Sequence, residues 1–384
     1  MMTNQGYAAA RLAAPRIWTH FSQHLEAARE RGRVVEALLP DPHDIEVVID
    51  AAFWASLRRE EGYVPKISLA VLPPERTENP LRFERPLPLT PPSLAKVAPA
   101  VERAGIHLGV WHEGGELCVW GTLRAIPTFA FVLEVAAPGL LVVKHHRGDE
   151  WGKFVNVAVL EGDSVKVVDA RASNLPDCPP LLASLLGFDS PGSWTGADGS
   201  VNVLVQLAVS MRAHGRGGLL LVVPRGSDAW RESIVQPVLY TLNPPFAELA
   251  DLMRQESQDV RQHHQWQEAL ARVIDTIGGV TAVDGATAMT DDFELLAFGA
   301  KIARRRGAPP VERLTVTEPI EGGTADVVHP MALGGTRHLS AAQFVQDQRD
   351  TTAFVASQDG RFTVFAWSPC EEMVHAHRVE TLLL

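Results

Sequence analysis

A stretch rich in proline, glycine, serine and aspartate lies near the middle of the chain and separates two regions that can each form a core. Residues 172–200 read ASNLPDCPPLLASLLGFDSPGSWTGADGS and carry few side chains suited to a core. Chains of 384 residues are usually long enough to build two cores. We therefore expect an N-terminal region at 1–172, a linker at 173–199 and a second domain at 200–384.

The N-terminal region is predicted to be an α+β unit rich in strands. Apolar spacing predicts helices over 15–34, with Trp18 on the buried face, over 44–62, and near 93–103. Between 105 and 171, six short apolar runs are separated by glycine-containing or charged turns. This pattern is typical of consecutive strands.

The C-terminal region is predicted to be α/β, with a mixed sheet flanked by helices. LLLVVP at 219–224 is a continuous apolar run suited to a buried strand. A long helix is expected over 244–276, and two strands around a Thr-Asp-Asp turn over 280–302. His375 and His377 alternate as on a strand, and we expect that strand at a solvated edge of the sheet.

Charge, cysteine content and hydropathy exclude several classes of protein. The net charge is −11, and only ARRRG at 303–307 is locally basic, so the broad basic face needed for duplex nucleic acid is missing. Cys118, Cys178 and Cys370 are scattered and form no CxxC pair, so neither a disulfide framework nor a zinc site is expected. No apolar run approaches the roughly 18–20 residues of a spanning helix. The sequence thus predicts a cytoplasmic protein that binds no membrane.

The run GGTRHLSAAQF concentrates hydrogen-bond donors beside unusual backbone freedom. Gly334 and Gly335 allow backbone N–H groups to converge on one concavity. Thr336 adds a hydroxyl, and Arg337 offers a planar fork that fits phosphate with two parallel hydrogen bonds. His338 adds a donor whose charge changes near neutral pH. These residue types in one run favour a phosphate site.

A helix is expected to begin directly after these residues. Ser340 and Gln343 have the spacing of a capping box, and a helix N-terminus presents free N–H groups and a positive dipole to an anion. The alternative is an ordinary loop in which Arg337 and His338 pair with surface carboxylates. The stretch alone leaves both interpretations open.

A second candidate site lies in VDGATAM. Asp284 stands at the end of an apolar run and is followed by Gly285 and Ala286. A carboxylate in this position could hold Mg²⁺ or Mn²⁺, because hard cations prefer oxygen ligands. It could also accept a proton from a sugar hydroxyl. The alternative is a simple Asp-Gly turn.

In this order the two motifs resemble the diadenylate cyclase domain, the N-terminal domain of the DNA-integrity-scanning cyclase family. The hallmarks of that domain are a DGA motif, a GTRHRAA motif and a strand ending in SEE. The resemblance covers about residues 200–384. It implies a catalytic, metal-associated role for Asp284 near a ribose 3′-hydroxyl. It implies nucleotide contacts from Gly285, Ala286, Gly335, Thr336, Arg337, His338 and Ser357.

The resemblance also implies a mechanism in which two domains meet face to face, as a homo-oligomer, each presenting one ATP with Mg²⁺ or Mn²⁺. Three departures weaken the case for catalysis. The second arginine of the family motif is Leu339, and the paired glutamates are Gln358 and Asp359. The spacing from Asp284 to Arg337 is also longer than in the family.

The N-terminal half resembles a second family, the bacterial DACNV sensors, which are similar to diadenylate cyclases. The resemblance rests on AAFWASLRREEGYVPKISLAVLPP, SLAKVAPAV, IHLGVW and LCVWGTL. It implies nucleotide sensing. We therefore expect a sensor that binds ATP or a related adenine nucleotide and has lost or weakened cyclase chemistry. An active cyclase making cyclic di-AMP from two ATP, and a scaffold with vestigial motifs, are the alternatives.

Overall fold

The computed structural model divides the chain into two compact units, Met1–Val168 with Leu384, and Asp169–Leu383. Both units combine helices with a mixed sheet, which confirms the predicted fold class. The linker predicted at 173–199 lies outside the described residues. No helix in the described parts of the chain has the length and apolar character required to cross a membrane. The structure describes residues 6–30, 38–103, 105–146, 154–169, 172, 202–255 and 264–384.

The N-terminal unit is built on an eight-stranded sheet. Its elements are α1 (Ala8–Glu30), α2 (Pro42–Ser56), β1 (Ser68–Val71), β2 (Leu81–Pro88), α3 (Pro91–Val97), β3 (His107–Glu113), β4 (Glu116–Leu123), β5 (Phe131–Ala137), β6 (Leu140–His146), β7 (Phe154–Glu161) and β8 (Ser164–Val167). The strand order is β2-β4-β3-β1-β5-β6-β7-β8. β1 is parallel to β3, and the other neighbours are antiparallel. The six strands expected after residue 105 are confirmed.

The first two helices differ from the prediction in their bounds, and α1 also differs in which residues it buries. α1 begins at Ala8, well before the predicted start, and Trp18 is 40% exposed. Ile17 and Phe21 lie on the buried stripe instead, since neighbouring residues point about 100° apart around a helix. α2 ends at Ser56. Gly62, predicted to end it, lies in a later turn with φ +88°.

Gly109 on β3 leaves room for the indole ring of Trp120. A Cβ at Gly109 would lie 2.1 Å from the Trp120 ring, whose Nε1 donates to the carbonyl of Leu72 at 2.9 Å. We expect Gly109→Ala to displace this ring and to lower the free energy of unfolding by about 1–3 kcal/mol. Denaturant unfolding followed by tryptophan fluorescence measures the change.

Gly279 provides a matched control for this substitution. It lies in a helix of the second unit, and nothing approaches within 4 Å of the place a Cβ would take. Gly279→Ala should therefore be neutral or stabilising, by up to about 1 kcal/mol. Equal effects of the two substitutions would contradict the role given to the Gly109–Trp120 contact.

The C-terminal unit is built on a nine-stranded mixed sheet. Its elements are α4 (Val203–Ala213), β9 (Gly218–Val223), β10 (Tyr240–Phe246), α5 (Glu248–Met253), α6 (His264–Val280), β11 (Ala286–Thr290), β12 (Leu295–Ala300), β13 (Leu314–Thr317), β14 (Asp326–Val328), α7 (Thr336–Asp347), β15 (Thr352–Ala356), β16 (Phe362–Ser368), β17 (Met373–Arg378) and α8 (Glu380–Leu383). The strand order is β10-β12-β11-β9-β15-β16-β17-β13-β14. β9 and β11 are parallel, as are β13 and β17.

Helix α7 crosses one face of this sheet. Its buried residues Ala341, Phe344 and Val345 form one cluster with Leu221 of β9 and Val355 of β15. Side chains alternate along a strand, so the intervening residues of β9 face the opposite side. α4 packs against both α6 and β15. The sheet therefore carries α7 over its central strands.

The long helix predicted over 244–276 is wrong. The chain instead forms β10, the short helix α5 and then α6, while 256–263 lie outside the described residues. Pro244 and Pro245 lack backbone N–H groups and are tolerated only where a ladder hydrogen bond is not needed. β10 meets this condition because it is an edge strand.

The solvated edge expected for His375 and His377 is also wrong. β17 lies between β16 and β13, and both imidazoles are buried, with their ring centroids 3.7 Å apart. The hydroxyl of Thr317 lies 2.9 Å from Nε2 of His375 and 3.0 Å from Nδ1 of His377. Burial lowers the pKa of His375 to about 4 and that of His377 well below its ordinary value.

Candidate functional site

One edge of the nine-stranded sheet brings the two motifs of the C-terminal unit together. β9 and β11 are parallel and both begin there, preceded by Gly217 and by Asp284–Gly285. The antiparallel strands β12 and β15 end there, because Ala300 pairs with Ala286 and Ala356 pairs with Gly218. These four strand ends, together with the first turn of α7, are named the motif edge.

Gly285 permits a close approach of two strands at the motif edge. Its φ is +119°, and a Cβ on it would lie 2.5 Å from the carbonyl carbon of Gly299. Gly299 also has positive φ, +65°, and a Cβ there would lie 2.8 Å from the Tyr240 ring. Both positions therefore require glycine. Ala286, the next residue, is buried as the first residue of β11.

Asp284 projects from the motif edge and has a basic partner. Its side chain is 86% exposed and forms an ion pair with the ammonium of Lys301, which follows β12 directly. The hydrogen bond and charge of Lys301 lower the pKa of Asp284, and the charge of Arg337 acts in the same direction. Two cations thus act on one carboxylate.

The helix after the glycine pair begins earlier than predicted. α7 starts at Thr336, and Gly335 is its N-cap residue with no side-chain cap. The capping box expected at Ser340 is therefore wrong. Gln343 instead accepts from the backbone N–H of Val311 at 2.9 Å. This shift places Thr336 and Arg337 at the very start of the helix, where backbone N–H groups lack helical partners. The N–H of His338 donates to the carbonyl of Gly335 at 3.1 Å.

Arg337 reaches from the first turn of α7 to the start of β9. A Cβ at Gly217 would lie 2.9 Å from its Nη1 atom. Burial lowers the pKa of His214, and the positive charges of Arg216 and Arg337 lower it further. Arg337 has no hydrogen-bond or ion-pair partner in the described parts of the chain. Its donors are therefore available to a ligand.

His338 faces the core. It is 3% exposed, and a Cβ at Gly334 would lie 2.5 Å from its Nδ1 atom. Its ring packs edge-on against Phe365 at 6.0 Å. Burial lowers the pKa of His338. The imidazole packs against Gly334 on the core side of the helix and does not extend into solvent.

Thr336, Gly335 and Ser357 complete the predicted set. Thr336 and Gly335 are exposed at the start of α7. Ser357 follows β15 in a turn, where its N–H donates to the carbonyl of Arg361 at 2.9 Å and its carbonyl accepts from the N–H of Gly360. Except for the buried His338 and Ala286, the predicted residues therefore line the surface of one edge.

Sequence reasoning missed two contributors to the motif edge, Lys301 and Tyr240. Lys301 is forced beside Asp284 by the pairing of Ala286 with Ala300. The signal was available, since a strand pair predicted over 280–302 brings its two outer ends together. Tyr240 stacks on Phe298 with ring centroids 4.8 Å apart, and the residue is 48% exposed. The helix wrongly predicted over 244–276 overlaps strand β10, so the sequence did not assign Tyr240 to the sheet.

The donor set at Asp284 does not fit a resident metal ion. Among the described residues, no cluster of three or more His, Cys, Asp or Glu side chains could hold one. The carboxylate of Asp284 already contacts an ammonium. Divalent cations such as Mg²⁺ need several oxygen ligands. The expected Mg²⁺ or Mn²⁺ site stays a prediction, and the neighbours of Asp284 favour a different cation.

Comparison with known families concerns the other unit. The family model described as "Probable sensor domain DACNV" matches residues 35–124, about a quarter of the chain. In the described part of that range, the match covers α2, α3 and the adjacent strands β2-β4-β3-β1. This confirms the resemblance of the N-terminal half to DACNV sensors. No curated protein matches the chain.

Proposed function

We propose that the protein is a nucleotide-binding sensor whose C-terminal unit binds ATP or a related adenine nucleotide at the motif edge, with cyclase chemistry lost or weakened. The match of residues 35–124 to a probable sensor domain supports the sensor part. The proposal for the nucleotide rests on the chemistry of the motif edge.

The observation that carries the proposal is the unpaired guanidinium of Arg337 beside a helix N-terminus. Gly335 has no side-chain cap, so backbone N–H groups of the first turn remain available. Arg216 and Lys301 add two further positive charges. In a chain of net charge −11, this local excess of donors suits a phosphate group.

An exposed aromatic ring at the same edge suits a nucleobase. Tyr240 lies beside Gly299 and is held parallel to Phe298, with 8° between the ring planes. Stacking on an aromatic ring contributes about 1–3 kcal/mol for a base. Tyr240 and Arg337 would then contact the two ends of one nucleotide.

The residues that depart from the cyclase motif are engaged in other contacts, which favours loss of catalysis. Leu339 is partly buried against the core under α7. Gln358 donates through Nε2 to the carbonyl of Arg216 at 3.3 Å. Asp359 pairs with Arg361 at 3.4 Å. Leu339 therefore offers no positive charge to a phosphate, and Gln358 lacks the carboxylate that the family motif has at this position.

Incubation with ATP and Mn²⁺, followed by mass spectrometry of the products, tests the catalytic part. We expect little or no cyclic di-AMP even at high protein concentration, together with calorimetrically measurable ATP binding. Turnover on the order of 1 per second or faster, typical of enzymes, would instead establish an active cyclase. Absence of binding by any adenine nucleotide would favour a scaffold.

The active cyclase is kept as a second candidate on one observation. Asp284 and Arg337 are close enough for the arginine charge to lower the pKa of the carboxylate. A face-to-face pair of such domains, each carrying ATP, would align the reacting groups. Sedimentation with and without ATP would show whether the nucleotide promotes such a pair.

A further inference from the structure

We propose that Lys301 takes the place of a divalent cation at the motif edge, so that the protein binds nucleotide polyphosphate without a metal. The inference rests on the proposed function, because it concerns the same ligand. Lys301 is the residue that forms the ion pair with Asp284.

The position of Lys301 is fixed by the backbone. Ala300 pairs with Ala286, so the residue after β12 lies beside the residues that precede β11. The carbonyl of Lys301 accepts from the N–H of Val235 at 2.8 Å, which ties its main chain to the neighbouring segment. The ion pair with Asp284 therefore follows from strand register as well as from side-chain conformation.

The positive charges of Lys301 and Arg337 can neutralise a phosphate group without a metal ion. The side chain of Lys301 is 57% exposed, so its ammonium can contact Asp284 and a ligand in solvent together. An ammonium has three donors and no requirement for octahedral geometry. Because the charge of Arg337 also acts on Asp284, a phosphate group bound there would meet two cations, and Asp284 would orient Lys301. A divalent ion at this carboxylate would have to lie beside the ammonium of Lys301, and the two positive charges would repel each other.

Calorimetry of ATP binding to the full chain, in excess EDTA and in excess Mg²⁺, tests this inference. We expect the wild-type protein to bind ATP in EDTA within about threefold of its affinity in Mg²⁺. Lys301→Met should weaken binding in EDTA by about 10-fold or more, the loss typical of a charge-assisted contact. Mg²⁺ should restore part of that loss, since Asp284 is then free to share a metal with the phosphates. Binding of adenosine should be unchanged.

Two further variants separate a direct contact from a structural effect. Lys301→Arg should keep metal-independent binding, because the charge remains. Lys96→Met, on an exposed residue of α3, should bind as the wild type does. The melting temperature of Lys301→Met should stay close to that of wild type, since exposed ion pairs contribute little to stability.

The outcomes distinguish this inference from the proposed function. Wild-type binding of ATP only in Mg²⁺, with Lys301→Met indistinguishable from wild type, would overturn the role of Lys301 and leave the nucleotide sensor standing. Failure of the wild type to bind ATP in either buffer would overturn both. Equal weakening of ATP and adenosine by Lys301→Met would place the effect on folding and contradict the inference.

Discussion

The protein is expected to lose stability steeply as the pH falls from 6.5 towards 4, and the His375–His377 pair should account for a large share. Burial holds the pKa of His375 at about 4 and that of His377 well below its ordinary value. The unfolded chain, with pKa values near 6.5, therefore binds more protons than the folded chain over this range. Each such histidine lowers the free energy of unfolding by about 1.4 kcal/mol per pH unit.

Chemical denaturation at pH 7.5, 6.0 and 5.0 measures this slope. The double variant His375→Gln with His377→Asn should be less stable at pH 7.5, because the contacts with Thr317 change, but should lose less stability on acidification. His264→Gln, at a histidine whose side chain is 82% exposed, is the control and should leave the slope as it is. A double variant with the wild-type slope would show that the buried pair does not set the pH dependence.

Arg337→Ala is expected to remove most of the stabilisation that nucleotide gives. At a hundredfold excess of ATP over its dissociation constant, binding should stabilise the wild type by about 2.7 kcal/mol. Loss of a charge-assisted bidentate contact, worth about 1.5–3 kcal/mol, should reduce that gain to about 0.3–1.3 kcal/mol at the same ATP concentration. Thermal unfolding with and without ATP measures the difference.

Two substitutions sharpen this experiment. Arg337→Lys should rescue only part of the effect, since a point charge does not reproduce the planar fork. Arg304→Ala, at an exposed residue of the basic ARRRG loop, should respond to ATP as wild type does. If Arg304→Ala lost the response and Arg337→Ala kept it, the phosphate would bind at the basic loop.

Periodicity predicted the fold class because both units repeat short buried strands and amphipathic helices. It did not predict β10, where Pro244 and Pro245 stand in a strand that only an edge position tolerates. It also placed His375 at a solvated edge, since alternation of side chains shows a strand but not its neighbours in the sheet. Strand order depends on non-local pairing, such as the parallel contact of β17 with β13.

The candidate site was predictable in its residue types and less so in its geometry. The glycine and DGA motifs indicated a donor-rich loop and a nearby carboxylate, and strand register brings them to one edge. The burial of His338 under Gly334 was not predictable, because residue type alone does not show which side of a helix faces the core. Lys301 was predictable only by pairing the outer ends of the two strands expected over 280–302, a step beyond the reading of single motifs.

Hydrogen–deuterium exchange of the full chain, with and without ATP, tests most directly whether a nucleotide binds at the motif edge. The N–H groups of Thr336 and Arg337 lie in the uncapped first turn of α7 and should exchange rapidly in the free protein. We predict that ATP slows exchange in peptides that contain 334–338 and 284–286. Unchanged exchange in both segments at saturating ATP, with slowing confined to other parts of the chain, would show that ATP does not bind at the motif edge.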